Sequence, residues 1–215
     1  MTPHAVYRRA EQSGIYLEGF GSIVAVKAGS DSIRAKLAAA AANTELVRVV
    51  RSIRRADKLE GFVLKIGAEW LLLHVLNPAM FLDGHVAVRV SDVRSVKTLG
   101  SDSFAARALR HYGDKPRKLG KVELRSTKAV IASASKTFSL VTIHIEQRDP
   151  SVCYIGMPVA LSTRALRLRE ISSEARWDDE PTTYWLRDVT RVDIGGRYER
   201  ALLAVGGRAT KVKPD

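Results

Sequence analysis

The residues of this sequence with the clearest chemical potential are two clusters of basic side chains. The first cluster comprises Arg48, Arg51, Arg54, Arg55 and Lys58. The second comprises Arg107, Arg110, His111, Lys115, Arg117, Lys118 and Lys121. Guanidinium groups bind phosphate oxygens in pairs, and each neutralised phosphate releases counterions, so clusters of this density favour polyanions. The sequence therefore predicts a nucleic-acid-binding surface formed by these residues.

Two other interpretations of the basic clusters stay open at this stage. They could form a solvated basic face, or they could bind an acidic protein or an anionic lipid surface. Tyr112 is the one aromatic residue within the second cluster, whereas platforms for single strands stack several bases on exposed rings. We therefore expect phosphate contact with little base recognition, and we expect RNA before DNA as the ligand.

Motifs for catalysis are mostly absent from the sequence. Gly19-x-Gly21 lacks a third glycine and leads into an apolar run, so it is typical of a turn and not of a dinucleotide site. The five histidines lack metal-ligand spacing, and we interpret His74 and His144 as packed strand residues. Cys153 lies in an apolar run without a histidine nearby in the sequence. We expect a protein that is not an enzyme and has no cofactor.

An acidic run, Asp178-Asp179-Glu180, is the best candidate for a divalent cation, because Mg²⁺ and Ca²⁺ prefer oxygen ligands. The run ends at Pro181, between two predicted strands. We interpret it as a solvated turn and expect no metal site.

Periodicity predicts a chain of short strands with a few helices. Helices are predicted over residues 31–42, 101–112, 126–136 and 198–205. Strands are predicted over residues 45–54, 60–66, 69–76, 85–91, 138–146, 152–161, 165–171 and 182–192. The helix over 101–112 has the clearest pattern: it carries an apolar stripe through Phe104 and Leu109, and Arg107, Arg110 and His111 share the opposite face.

An internal repeat links the two halves of the chain. A shift of 96 residues aligns 29 positions with seven identities and keeps a D-V-x-x-V pattern in phase, at Asp92 and at Asp188. A period of this length indicates two copies of a domain. Two unrelated strand meanders in phase by chance remain the alternative.

The predicted fold is a β-rich α+β class built from tandem small antiparallel β-barrels, each with a flanking helix. At the level of the fold, this pattern resembles the Sm-like and SH3-like small barrels, although no Sm motif is present and no function follows. Residues 31–113 form the first predicted module and residues 126–207 the second. The remaining predicted segments are an N-terminal extension or extra strands (1–30), a basic linker (114–125) and a basic tail (208–215).

Composition limits the classes of protein that remain. The 215 residues carry 35 Lys and Arg against 23 Asp and Glu, for a net charge of +12, and a single cysteine excludes a disulfide scaffold. The longest apolar runs, 37–42 and 70–73, are too short to span a bilayer, and the first residues do not form a secretory signal. We expect a cytoplasmic, non-catalytic protein that binds nucleic acid. The alternative is an assembly or adaptor subunit that uses small barrels as docking modules.

Overall fold

In the computed structural model, residues 7–8 and 30–209 are placed and described. The apolar runs and the Gly19-x-Gly21 turn of the N-terminal segment lie outside the described residues, as does the basic tail from residue 210 onward. Within the described residues the chain forms four helices, α1 (Ser30–Ala42), α2 (Phe104–Tyr112), α3 (Thr127–Ala134) and α4 (Arg197–Gly206). All four occur where helices are predicted from the sequence.

The described strands are short and follow one another closely. They are β1 (Tyr7–Arg8), β2 (Leu46–Arg51), β3 (Leu59–Ile66), β4 (Trp70–Leu76), β5 (Leu82–Arg89), β6 (Val93–Thr98), β7 (Val141–His144), β8 (Val152–Leu161), β9 (Ala165–Glu170), β10 (Thr182–Trp185) and β11 (Arg191–Ile194). A 3-10 turn, Val90–Asp92, separates β5 from β6, and another, Leu186–Asp188, separates β10 from β11.

All of these strands belong to one antiparallel sheet. Its order is β10-β9-β8-β7-β11-β5-β4-β3-β2-β6, and β1 pairs with β8 beside this path. The order begins at β10 and ends at β6 without closing. The β-rich α+β class is therefore confirmed, whereas the predicted closed barrels and their Sm-like or SH3-like geometry are not shown by an open sheet.

The order of elements and the strand pairings recur in the two halves. Each half runs helix, four strands, 3-10 turn, strand, helix. In each half the first strand pairs with the second and with the last, and the second, third and fourth strands pair in sequence. The two 3-10 turns lie 96 residues apart, which is the shift found in the sequence. Upstream, the pairing matches Leu73 with Leu168, so the ungapped alignment of Leu72 with Leu168 slips by one residue in β4.

The two halves meet where β5 pairs with β11. The register places Val88 opposite Arg191 and His85 opposite Ile194. The fourth strand of the first half thus pairs with the last strand of the second half, and we call this pairing the junction. It makes the two predicted modules parts of one continuous sheet.

Helices cover the sheet in corresponding ways in each half. In the first half, Leu37 of α1 packs into a core with Val47 and Leu73, and Leu109 of α2 packs near Leu46. In the second half, the core around α3 contains Ile131, Ile143 and Val192, and it also takes in Trp70 and Leu72 of β4. Leu202 of α4 packs with Leu140 and Ile155. The apolar stripes of the helices therefore decide which face of the sheet each one covers.

Two features of the strands differ from the sequence-based expectation. The single strand predicted over 182–192 is interrupted by the turn Leu186–Asp188, and β6 is not predicted at all. In β6 the residues Arg94, Ser95, Lys97 and Thr98 are exposed, because this strand lies at the edge of the sheet. Its apolar pattern is reduced to Val93 and Val96, which is too little to indicate a strand.

Candidate nucleic-acid interface

Helix α2 positions the first part of the second basic cluster. The hydroxyl of Ser103 accepts a hydrogen bond from the Ala106 N–H at 3.3 Å and caps the helix, and Gly113 ends it with a φ of 65°. Leu109 is buried beneath the helix, while the predicted residues Arg107, Arg110 and His111 are exposed. The structure therefore confirms that the basic face of this helix points toward solvent. The predicted apolar stripe is buried at Ala105 and Leu109 but not at Phe104, which is 65% exposed.

The segment after α2 is fixed to the sheet through its backbone. The Asp114 carboxylate accepts a hydrogen bond from the Leu82 N–H at 2.8 Å. The Arg117 N–H donates to Nδ1 of His74 at 3.1 Å, and the Arg117 carbonyl lies 3.3 Å from Nε2 of His85. The side chains in this segment remain exposed, namely Lys115, Arg117, Lys118 and Lys121. The cations are thus held on a fixed backbone and not on a free linker.

The two histidines that hold Arg117 are a structural pair. Their rings stack at a centroid distance of 4.6 Å, with an interplanar angle of 11°. Burial, followed by the neighbouring His85, lowers the pKa of His74 to about 4, and burial also lowers the pKa of His85. Both rings are therefore neutral at pH 7, and the neutral form leaves Nδ1 of His74 free to accept the hydrogen bond from Arg117.

Arg117 meets two further arginines that the sequence-based prediction missed. Together with Arg197 and Arg200 it lines a cleft of about 330 Å³. All three side chains are exposed, and the guanidinium carbon of Arg197 lies 5.6 Å from the centroid of the Phe81 ring. Arg197 and Arg200 lie on α4, about 80 residues after Arg117, so no local pattern in the sequence could have grouped them. We call this cleft the arginine cleft.

An aromatic pair lies beside the arginine cleft. The rings of Phe81 and Tyr112 are in contact, with a centroid distance of 4.6 Å and an interplanar angle of 31°, and Tyr112 is 56% exposed. Phe104, on the same helix as Tyr112, is 65% exposed. The aromatic support that the sequence showed only at Tyr112 is therefore larger in the structure, because the Phe81 ring also lines the cleft.

Two carboxylates also line the arginine cleft, and both accept backbone hydrogen bonds. Asp83 accepts from the Arg197 N–H at 2.9 Å, while Asp114 accepts from Leu82 as described above. Each carboxylate in the lining therefore has a backbone N–H as a partner. The arginines outnumber the carboxylates, so a bound anion would meet a surplus of positive charge.

The first basic cluster is divided between the surface and the interior. Arg48 is paired with Glu60, with a closest N–O distance of 2.6 Å, and Arg51 is buried in an ion pair with Glu146. Arg54, Arg55 and Lys58 are exposed on the loop between β2 and β3. The prediction that Arg51 binds nucleic acid is therefore wrong, because its side chain is buried in an ion pair. The exposed loop residues Arg54, Arg55 and Lys58 are the part of this cluster that can contact a ligand.

The two basic clusters lie near opposite ends of β5. The Ser52 N–H donates to the carbonyl of Asp92, just beyond the end of β5, at 2.8 Å. The second cluster is held against Leu82 and His85, at the start of the same strand. Strand geometry separates these ends by about 20 Å. The clusters are therefore two surfaces, and not the single nucleic-acid-binding surface that the sequence predicts.

A second polar cavity, of about 260 Å³, lies near the junction. Within it Arg191 donates to both oxygens of Asp193, and Nε2 of His144 lies 3.2 Å from Asp193. Arg191 and His144 hold the pKa of Asp193 below its ordinary value, although burial opposes this shift. Because these groups satisfy one another, we assign them a structural role at the junction.

The acidic run 178–180 lies in a bent, irregular segment ahead of β10, and Asp179 and Glu180 are exposed there, as expected of a solvated connection. Across residues 7–8 and 30–209, no group of three or more His, Cys, Asp or Glu side chains is arranged to hold a metal ion. The helices described for this chain are also too short or too polar to cross a membrane.

Comparison with known proteins yields no relative. No protein-family model, no curated protein and no solved structure matches this chain. Its function must therefore be argued from its own residues.

Proposed function

We propose that this protein is a non-catalytic nucleic-acid-binding protein that holds phosphate groups in the arginine cleft. The observation that carries the proposal is the convergence of Arg117 with Arg197 and Arg200 on one cleft. Guanidinium groups form paired, charge-assisted hydrogen bonds with phosphate oxygens. Arg107 and Lys118 extend the positive surface along α2 and the segment that follows it.

RNA is the preferred ligand in this proposal. Tyr112 presents an exposed ring beside the arginines, and an unpaired base can stack on such a ring. Duplex DNA keeps its bases inside the helix and offers no base to this ring. The few aromatic residues still imply little reading of sequence, so backbone contacts dominate binding.

Three finer expectations belong to the same proposal. Residues 31–113 and 126–207 act as small-barrel modules of the Sm-like or SH3-like kind, joined by the basic linker 114–125. The recurring order of elements supports this view. The loop residues Arg54, Arg55 and Lys58 form a second contact for longer nucleic acids. The protein acts in the cytoplasm, where RNA is abundant.

The experiment is a titration of fluorescently labelled, single-stranded oligouridine by fluorescence anisotropy at several salt concentrations. In the triple variant Arg117→Gln/Arg197→Gln/Arg200→Gln, we expect binding to weaken at least tenfold. We also expect the slope of log K against log salt to fall by about 2, because three phosphate contacts are lost. A DNA duplex of the same length tests the preference for RNA, because its bases are paired and cannot stack on Tyr112.

The matched control changes the same amount of charge elsewhere. The variant Arg164→Gln/Arg167→Gln/Arg176→Gln removes three exposed arginines that lie outside the cleft. It should bind oligouridine nearly as well as the unmodified protein. Equal losses in the two triple variants would show that net charge alone drives binding, and the proposal for the cleft would be wrong.

A second candidate function is an assembly or adaptor subunit that docks other proteins. The two edges of the sheet that no described strand covers favour it, because an edge strand offers unpaired backbone groups to an added strand. In that case the cleft variant would bind oligouridine unchanged, and a protein would remain bound to the chain through purification.

A further inference from the structure

The junction shows how one half of this chain recognises the other. Ala87 lies opposite Val192, and His85 lies opposite Ile194. Arg89 extends across the junction and donates to the carbonyls of Leu186, Arg187 and Val189, at distances between 2.8 and 3.1 Å. The contact therefore combines backbone pairing of two strands with one long side chain that fixes the neighbouring turn.

Because the fold recurs, each half contains a strand that is equivalent to one of the two junction strands but has no partner on its outer side among the described strands. β10 is the counterpart of β5, because both are fourth strands that lead into a 3-10 turn. β6 is the counterpart of β11, because both follow that turn and pair with the first strand of their half. Among the described strands, none pairs with the outer side of β10 or of β6. One chain thus carries both surfaces of a second junction, at opposite ends of its sheet.

We propose that copies of this chain assemble head to tail, with β10 of one copy paired antiparallel to β6 of the next in the manner of the junction. This inference goes beyond the proposed function and does not depend on nucleic acid. The partner is a second copy because the contact continues an interface that already exists within the chain.

The backbone at both edges is oriented for this pairing. The Leu99 N–H donates to the carbonyl of Leu46, and N–H groups alternate in direction along a strand, so the N–H of Val96 faces away from the sheet. The Leu186 N–H donates to the carbonyl of Arg164, so the N–H of Thr183 also faces outward. Transferring the junction register by 96 residues places Val96 opposite Thr183. The outward groups of the two edges therefore meet in register.

Side chains along the two edges complement each other in this register. Arg94 lies opposite Trp185, which is 50% exposed, and a guanidinium over an exposed indole is a favourable contact. Lys97 lies opposite Thr182 and diagonal to Glu180 of the acidic run. The acidic run 178–180, which the sequence analysis interprets as a solvated turn, thus supplies the negative partner for the basic edge strand β6.

One end of the edge differs from the junction. Glu180 and Pro181 occupy the positions that correspond to Gly84 and His85. At the junction a Cβ on Gly84 would lie 2.8 Å from the Cα of Gly196, so Glu180 cannot approach a neighbour that closely. Pro181 has no N–H to donate. We therefore confine the proposed pairing to Thr182–Trp185 of β10.

Head-to-tail contacts of this kind are heterologous and repeat in one direction. They close into a ring if the rotation between copies permits, and otherwise they extend into a filament. The assembly would present the arginine cleft once per chain, at regular spacing.

The experiment measures the mass of the full-length chain in solution. Sedimentation velocity and native mass spectrometry at about 1 to 100 µM should show multiples of the 23.7 kDa chain, with a distribution that shifts to larger species as concentration rises. The variant Thr183→Pro removes one outward N–H from β10 and should weaken association at least tenfold. Thr183→Val is the matched control, because it keeps that N–H and should associate normally.

A charge exchange tests the register. Lys97→Glu places like charges on the two edges and should weaken association, whereas Lys97→Glu combined with Glu180→Lys should restore it. Circular dichroism and melting temperature show whether each variant is folded. A monomer at every concentration would overturn the proposal. So would a fixed dimer with the same mass in the Thr183→Pro variant, or association that the charge exchange does not alter.

Discussion

Arg51 and Glu146 form a buried, bidentate ion pair that joins β2 of the first half to the turn that follows β7 in the second. One guanidinium nitrogen lies 2.6 Å from Oε1, the other binds Oε2, and Thr190 donates to Oε2 at 2.8 Å. The two side chains are 0% and 1% exposed. Burial favours the neutral form of Glu146, but hydrogen bonds from Arg51 hold its pKa below the ordinary value. A residue that the sequence suggested for phosphate binding thus stabilises the contact between the halves.

Replacing Arg51 should destabilise the fold strongly. Arg51→Met leaves the Glu146 carboxylate buried without its partner, so we expect a loss of about 3–5 kcal/mol in the free energy of unfolding. Urea denaturation followed by circular dichroism measures it. The double variant Arg51→Met/Glu146→Leu removes both charges and should recover most of the loss. Arg48→Met, which breaks the half-exposed pair with Glu60, serves as the control and should cost less than about 1 kcal/mol. Equal losses for Arg48→Met and Arg51→Met would contradict the assignment.

Stability should fall between pH 6.5 and pH 4 because of His74. In an unfolded chain the pKa of histidine is about 6.5, whereas the pKa of His74 in the fold is about 4. Between these values the unfolded chain binds a proton that the folded chain does not, so the stabilisation present above pH 6.5 is lost as the pH falls toward 4.

The variant His74→Asn isolates this contribution. Asparagine keeps an oxygen acceptor near the position of Nδ1 for the Arg117 N–H but does not titrate. The free energy of unfolding, measured in urea at pH 7 and at pH 4.5, should therefore change less in the variant, by about 2 kcal/mol. The pKa values of His85 and His144 are also lowered, and these two residues account for the pH dependence of stability that remains in the variant. An unchanged pH profile in His74→Asn would refute the role of this ring.

The two basic surfaces should respond differently to the length of an RNA ligand. Because they lie about 20 Å apart, an oligouridine of three nucleotides reaches one surface at a time. The variant Arg54→Gln/Arg55→Gln/Lys58→Gln should then bind this short ligand as the unmodified protein does. With a thirty-nucleotide ligand the same variant should bind several-fold more weakly. Anisotropy titrations with both ligands test this, and a loss of trinucleotide binding would show that the loop, and not the arginine cleft, is the primary site.

Two glycines should be intolerant of alanine. A Cβ on Gly61 would lie 2.2 Å from the carbonyl oxygen of His74, and a Cβ on Gly156 would lie 2.2 Å from that of Arg169. Each substitution forces neighbouring strands apart, and we expect a loss of about 3 kcal/mol in each. Gly120→Ala is the control, because a Cβ on Gly120 would meet no atom of the described residues within 4 Å. Melting temperatures of the three variants provide the measurement, and a stable Gly61→Ala protein would mean that β3 and β4 are less closely packed.

The sequence was most informative where local chemistry decides the structure. A cap at Ser101, Asp102 or Ser103, the terminal Gly113 and the apolar residues around Leu109 predict α2 and its exposed basic face, because a helix is specified within its own length. The structure assigns the cap to Ser103. The 96-residue shift likewise predicts that Asp92 and Asp188 occupy equivalent positions, and in the structure each of them ends a 3-10 turn. These features depend on contacts between residues close in the chain or on a repeated pattern.

The arginine cleft and the role of Arg51 could not be predicted in this way. Arg117 and Arg197 meet only because β5 pairs with β11, and no spacing in the chain encodes that meeting. Arg51 carries the same side chain as Arg54, and only its burial against Glu146 distinguishes them. The edge strand β6 was not predicted for a related reason. A strand with one neighbour is largely exposed, so its sequence lacks the apolar alternation that indicates a strand. The pairing of distant strands therefore determines these three features, and local sequence patterns do not indicate it.

The pairing of β5 with β11 also affects how the chain folds during synthesis. Residues 191–194 follow β5 by about 100 residues, so a ribosome needs roughly 5 to 20 seconds to produce them after β5 has emerged. During that interval the edge of β5 that pairs with β11 lacks this partner. Such high contact order slows folding, and the open edge can capture β11 from a neighbouring nascent chain. We expect domain-swapped products when this protein is expressed rapidly.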